Sequence, residues 1–186
     1  MKKLLLLLFT GFLMISCYSQ MPKNKFDWID FESEQANIKV KVPCELKERE
    51  DTSKQKIPSN NSFNYSCLTS DFRILVMLTE SSSKDSKIMN LNNLRYMPDD
   101  LKGVFPNITS VETKEIVRNG DEGRLSEYLL SNNDRIKKLI LINDRGIYNI
   151  MIYVPRYRDQ QESDFENYYK SLTEPIIESF EIVSKK

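Results

Sequence analysis

Histidine is absent from all 186 residues of this chain. That absence removes serine–histidine–aspartate and cysteine–histidine catalysis, imidazole general bases and the commonest zinc ligand. Glycine is scarce, at 5 in the whole chain, and no G-x-G-x-x-G or P-loop spacing occurs. The three cysteines include no C-x-x-C pair, so redox and zinc-ribbon spacings are missing as well. No charge of one sign predominates: 27 basic residues face 27 acidic ones. That balance argues against nucleic acid, where a basic footprint is expected. After the first residues, no apolar run approaches the ~20 residues of a membrane helix.

What is present begins with a targeting pattern. Met1-Lys2-Lys3 is a short basic start, and Leu4 to Ile15 is an apolar run of 12 residues. Such a run suits a secretory signal and is too short to span a bilayer. Two cleavage readings compete. Met14-Ile15-Ser16-Cys17 resembles a bacterial lipobox, with Met14 where leucine is usual. It makes 1–16 a signal peptide and Cys17 a lipidated, membrane-anchored N-terminus. The other reading is ordinary cleavage after Ser19, which gives a soluble periplasmic or secreted protein. Residues 17–25 read as a tether and 26–183 as one domain. That length buries roughly 70% of its unfolded surface. Removing Lys2 and Lys3 leaves 25 basic against 27 acidic residues, a net charge of −2. Cys44 and Cys67 are then the thiols left to pair. Closing their loop of about 22 residues is worth roughly 3 kcal/mol in the chain-entropy model. A direct hairpin between their two strands would hold the sulfurs too far apart, and two buried, unpaired thiols are the other reading.

Arg135 to Pro155 organises the rest. It reads as two strands around a tight turn at Asn143-Asp144-Arg145-Gly146, apolar on both faces, and therefore covered on both sides. Ile140, Ile142, Ile150 and Ile152 are expected in the core. Thr109 to Arg118 and Gly123 to Leu130, joined by an Asn119-Gly120 turn, complete a four-strand meander. Earlier strands are expected over Phe26–Phe31, Ile38–Val42, Ser62–Leu68 and Phe72–Thr79. Glu45 to Asn61 reads as a long polar surface loop. The spacing of Ile88, Leu91 and Leu94 predicts a helix from Ser86 to about Tyr96. Ser163-Asp164-Phe165-Glu166 reads as a capping box opening a last helix, broken near Thr173 by Pro175. A strand over Ser179–Val183 follows. Two helices suffice to cover both faces of one mostly antiparallel sheet, which gives an α+β three-layer sandwich.

The strand ending at Val42-Pro43, the G-x-x-x-x-Y stretch from Gly123 to Tyr128, the GIYNIMIYVP strand from Gly146 to Pro155 and the final IIESFEI from Ile176 to Ile182 resemble the PsbP-like family, which includes DcrB-type bacterial lipoproteins. The resemblance covers most of Phe26 to Val183. It implies a non-catalytic binding or assembly module without a cofactor. The family's association with metal ions is not carried across to a chain without histidine.

Few residues invite chemistry. Asp99-Asp100 and Asp121-Glu122 could hold a cation or act as acid and base, but acidic residues at turns ordinarily serve local hydrogen bonding. The acids Asp27, Asp30, Glu32 and Glu34 read as a solvated strand edge. The aromatics Phe26, Trp28, Phe31, Phe63 and Tyr65 read as core. Arg156, Tyr157 and Arg158, just past the central strand, are the candidate binding residues, with two guanidinia suited to a carboxylate or phosphate. The expectation is a non-catalytic cell-envelope domain binding a protein partner or small anionic ligand. The alternative is a hydrolase using paired carboxylates.

Overall fold

The computed structural model describes residues 26–49, 62–81, 86–96 and 101–183. The signal segment, Cys17, the tether, most of the loop ending at Asn61 and the Asp99-Asp100 pair lie outside them. The elements run β1 (Ile29–Ser33), β2 (Ile38–Val42), β3 (Lys47–Glu48), β4 (Ser62–Leu68), β5 (Arg73–Glu80), α1 (Ser86–Tyr96), β6 (Ile108–Arg118), β7 (Asp121–Leu130), β8 (Arg135–Ile142), β9 (Gly146–Val154), α2 (Glu162–Ser179) and β10 (Glu181–Ile182).

The apolar hairpin takes the centre. The main sheet is antiparallel with order β3-β4-β5-β9-β8-β7-β6, so β9 is its middle strand. Alternation sorts its side chains. Tyr148, Ile150, Ile152 and Val154 are buried on one face, while Met151 and Tyr153 are half-buried on the other. α2 and a second, three-stranded sheet of order β1-β2-β10 cover the first face. Phe165, Tyr169, Leu172 and Ile176 of α2 join Ile38, Val40 and Val42 of β2 and Ile74, Val76 and Leu78 of β5 in one core. α1 lies against β7, β8 and β9 on the opposite face. There Leu101 and Phe105 pack with Tyr128, Leu130 and Ile136. The result is an α+β sandwich with helices on both faces and a four-strand meander in its second half.

The turns follow their side chains. Asn119 and Gly120 both have positive φ, 52° and 88°, as a two-residue hairpin requires. The Asn143 side-chain oxygen accepts from the N–H groups of Arg145 at 2.9 Å and Gly146 at 3.3 Å, which closes the central turn. Arg145 then donates to Glu80 at 2.8 and 2.9 Å, and so ties that turn to the end of β5.

Several expectations are corrected. Glu45 to Asn61 is not wholly loop. Leu46 is buried, and β3 pairs Lys47 with Ser66 and Glu48 with Tyr65. The outer strands of the sequence form their own small sheet, because β1 and β10 both pair with β2. Ser163 is no cap: α2 starts at Glu162, and its N-cap, Gln161, makes no side-chain capping bond. α2 also runs unbroken through Pro175, held by the buried Leu172, Ile176 and Ile177. Ile142, Ile150 and Ile152 are fully buried, but Ile140 is only half-buried. Ile88 is 66% exposed, so the inner stripe of α1 narrows to Leu91 and Leu94. Finally, Cys44 and Cys67 form a disulfide with Cα atoms 6.2 Å apart. Cys44 lies past the end of β2, in the link that leads to β3, and the strand before it pairs in the small sheet and not with β4, so the hairpin geometry that would have separated them does not arise.

Candidate functional site: an aromatic ledge around Asp71

The segment after β9 divides its three candidate residues between inside and outside. Arg156 turns inward. Its backbone N–H donates to Asp134 at 2.8 Å, and its guanidinium donates to the Gln160 carbonyl at 3.0 Å, pairs with Glu162 and lies 5.8 Å from the Phe165 ring centroid. Those partners already satisfy the fork that was expected to grip an anion. Tyr157 and Arg158 remain at the surface, with Tyr157 54% exposed.

Asp134 explains why the segment holds its shape. It is buried, and its carboxylate accepts from Arg156 N–H, from Asn132 Nδ2 at 2.7 Å and from the Tyr153 hydroxyl. A buried carboxylate needs such donors. Burial, then the hydrogen bond to Asp134, pushes the Tyr153 phenol up to about 12. Sequence reasoning placed Asp134 in a turn and saw no more of it. Nothing local distinguishes it from Asn132 and Asn133 beside it.

Tyr157 reaches across to the β4–β5 turn. Its hydroxyl donates to Asp71 Oδ1 at 2.6 Å, and Ser70 Oγ donates to the same oxygen at 2.7 Å. The bond to Asp71 raises the Tyr157 phenol, with burial second. Tyr168 on α2 is raised strongly, by burial first and then by the Asp71 charge. All three phenols therefore stay protonated at neutral pH, and those of Tyr153 and Tyr157 act as donors, not as bases.

Aromatic rings continue the surface. Phe26 lies 5.5 Å from Trp28, 5.9 Å from Tyr168 and 6.2 Å from Phe72 by ring centroids. Trp28 is 37% exposed. Trp28, Tyr168, Asp71, Tyr157 and Arg158 thus fall within one neighbourhood, contributed by the domain's first residues, the β4–β5 turn, α2 and the segment after β9. Trp28 was read as core. In the structure Tyr65 is the buried member of that aromatic set, and Phe31 and Phe63 are half-buried. Phe26-Asp27-Trp28 precedes β1, and among the described residues no strand pairs with it.

A second concave place lies between α1 and the β6–β7 hairpin. It is a cavity of about 150 Å³ lined by Leu91, Leu94, Glu115, Val117, Glu122 and Arg124. Sites for small organic ligands usually hold about 300–1,000 Å³, so this one is small. Its two acids do not form a shielded pair. Glu115 is exposed on β6 and stands opposite Arg124 in the strand register. Asp121, beside Glu122, is raised by burial, with the Lys87 charge opposing. Among the described residues no group of three or more potential metal ligands converges.

No protein-family model matches the chain, and no curated protein matches it. Among solved structures it is similar to the solution structure of cyanobacterial PsbP (CyanoP) from Synechocystis sp. PCC 6803. Sequence identity is 11% and the TM-score 0.47, over 89% of this chain and 98% of that one.

Proposed function

We propose that this chain is a non-catalytic, exported, lipid-anchored domain of the DcrB-like kind that binds a protein partner in the cell envelope. The observation that carries the binding role is the ledge. An exposed tryptophan, tyrosine and arginine lie on one ledge, and the Asp71 carboxylate already holds the tyrosine in place. These three residue types are the ones enriched at interface hot spots, and tyrosine held by Asp71 loses little further freedom on binding. The cavity under α1 is too small to favour an organic ligand instead. Export is supported by the Cys44–Cys67 bridge, since such bridges persist in oxidising compartments. Anchoring is supported by the Ser16-Cys17 pattern.

Two experiments test this reading. Metabolic palmitate labelling should mark the wild type and lose the mark in Cys17→Ala; a mature N-terminus at Gln20 overturns the anchor. A photocrosslinking residue placed at Arg158 in intact cells should give a discrete adduct. Trp28→Ala/Tyr157→Ala in the same background should remove it with circular dichroism unchanged. No adduct, or one indifferent to those substitutions, overturns the ledge.

A further inference from the structure

The two edges of the main sheet are unlike. β3 is two residues long, which leaves little edge to pair. β6, at the other edge, is an 11-residue strand. Natural proteins blunt such edges by shortness, charge or a bulge, because a long open strand is a template for another chain. β6 carries a bulge only at its start, where the register shifts between Ile108 and Ser110. From Ser110 to Arg118 it pairs regularly with β7 on its inner side.

Charges of opposite sign flank Thr113 on this strand. Glu112, Thr113 and Lys114 are all exposed, and neither Glu112 nor Lys114 has an ion-pair partner among the described residues. Glu112 also stands directly opposite Glu127 on β7, whose carboxylate is already 2.7 Å from Lys137. Like charges directly opposite across strands are destabilising, so Glu112 lacks a cation on its free side.

We infer that β6 pairs antiparallel with β6 of a second copy, about a two-fold axis at Thr113, joining two main sheets into one. In that register Glu112 faces Lys114 of the partner and Lys114 faces Glu112 of the partner. The two Thr113 side chains meet on the α1 face, a favourable cross-strand pair. Ser110 faces Ile116, so the pairing stops where the bulge begins. The neighbouring registers that keep the sheet faces continuous are penalised. Axes at Glu112, Lys114 or Glu115 each place identical charges opposite one another. The interface is isologous, as a closed two-fold dimer requires.

The test is sedimentation of the purified full chain. The wild type is expected as a dimer at tens of micromolar, weakening as salt rises. Glu112→Lys and Lys114→Glu each place like charges across the axis and should weaken association at least tenfold. The double exchange Glu112→Lys/Lys114→Glu restores complementarity and should restore the dimer. A Thr113→Cys variant in a Cys17→Ser background should form an intermolecular disulfide under mild oxidation, since opposed strand residues lie within disulfide reach. A wild type that stays monomeric to about 100 µM overturns the inference. So does a dimer indifferent to both single substitutions, or a double exchange that fails to restore what the singles lose.

Discussion

Gly123 is where β7 runs so close to β8 that no side chain fits. A Cβ built there would lie 2.0 Å from the Ile140 carbonyl oxygen and 2.9 Å from Leu141 Cδ2. The obstacle is backbone in the body of the sheet, which cannot yield as a flexible side chain does. Gly123→Ala is therefore expected to destabilise by about 3 kcal/mol, read as a lower denaturation midpoint at unchanged slope. Gly103→Ala is the control. Among the described residues nothing lies within 4 Å of its added Cβ, and its effect should stay within about 0.5 kcal/mol. Equal effects at the two positions would refute the account. Gly123 entered the sequence reading only as the start of a G-x-x-x-x-Y stretch. Its reason, close approach of a backbone not adjacent in sequence, is invisible without the register. Arg156 shows the same limit from the other side. Its composition and position suited an anion site, but Glu162, Gln160 and Phe165 claim it only once α2 is in place. Tyr157 and Arg158 kept the surface positions expected of a loop after a central strand.

Elements were legible where a single periodicity spoke clearly. β8 and β9 alternate apolar residues on both faces, and only a central hairpin covers both. Asn119-Gly120 needs positive φ, and only a tight turn supplies it. The misreadings fall where tertiary packing overrides a local signal. Lys47-Glu48 carries no apolar periodicity, so β3 is created by its partner β4. Pro175 is the clearest case. It removes one intrahelical donor and costs about 3 kcal/mol relative to alanine inside a helix. Yet α2 continues, because Leu172 and Thr173 before it and Ile176 and Ile177 after it are buried. Its far end is also held from outside. The last turn of α2 has no basic residue of its own. Arg118 of β6 donates instead to the Ile177 and Phe180 carbonyls, at 2.5 and 3.2 Å, which satisfies groups every helix end leaves open. Packing thus tolerates the proline without needing it. Pro175→Ala should raise stability by about 1–2 kcal/mol, less than the full proline penalty because the half-buried ring loses contacts. A lower midpoint in chemical denaturation would show that the ring's packing matters more than the missing donor.

At the scale of the molecule, two sheets share one core, and a disulfide reinforces the place where the chain passes from one to the other. Cys44 follows β2 of the small sheet, and Cys67 lies in β4 of the main sheet. Between them Ile38, Val40 and Val42 of β2 share one buried core with Ile74, Val76 and Leu78 of β5. Phe31 of β1 lies 5.0 Å from the Tyr65 ring, and the hydroxyls of Ser33 and Tyr65 are 2.7 Å apart. β2 and β10 are otherwise fastened to α2 and the chain end, through Lys41 N–H to Ser179 Oγ at 2.9 Å and Val183 N–H to the Asn37 carbonyl at 2.8 Å. The bridge spans 23 positions in sequence, a separation at which loop-closure entropy contributes about 3 kcal/mol. In a domain of this size each kcal/mol moves the midpoint by about 2–4 °C. Reduction should then lower Tm by about 6–12 °C. Cys44→Ala/Cys67→Ala should melt at the reduced wild type's temperature and be indifferent to reductant, which separates loss of the bridge from other effects of the reagent. If the double variant and the oxidised wild type melt together, the bridge contributes nothing, and the shared core with the Phe31 and Ser33 contacts to Tyr65 unites the two sheets without it.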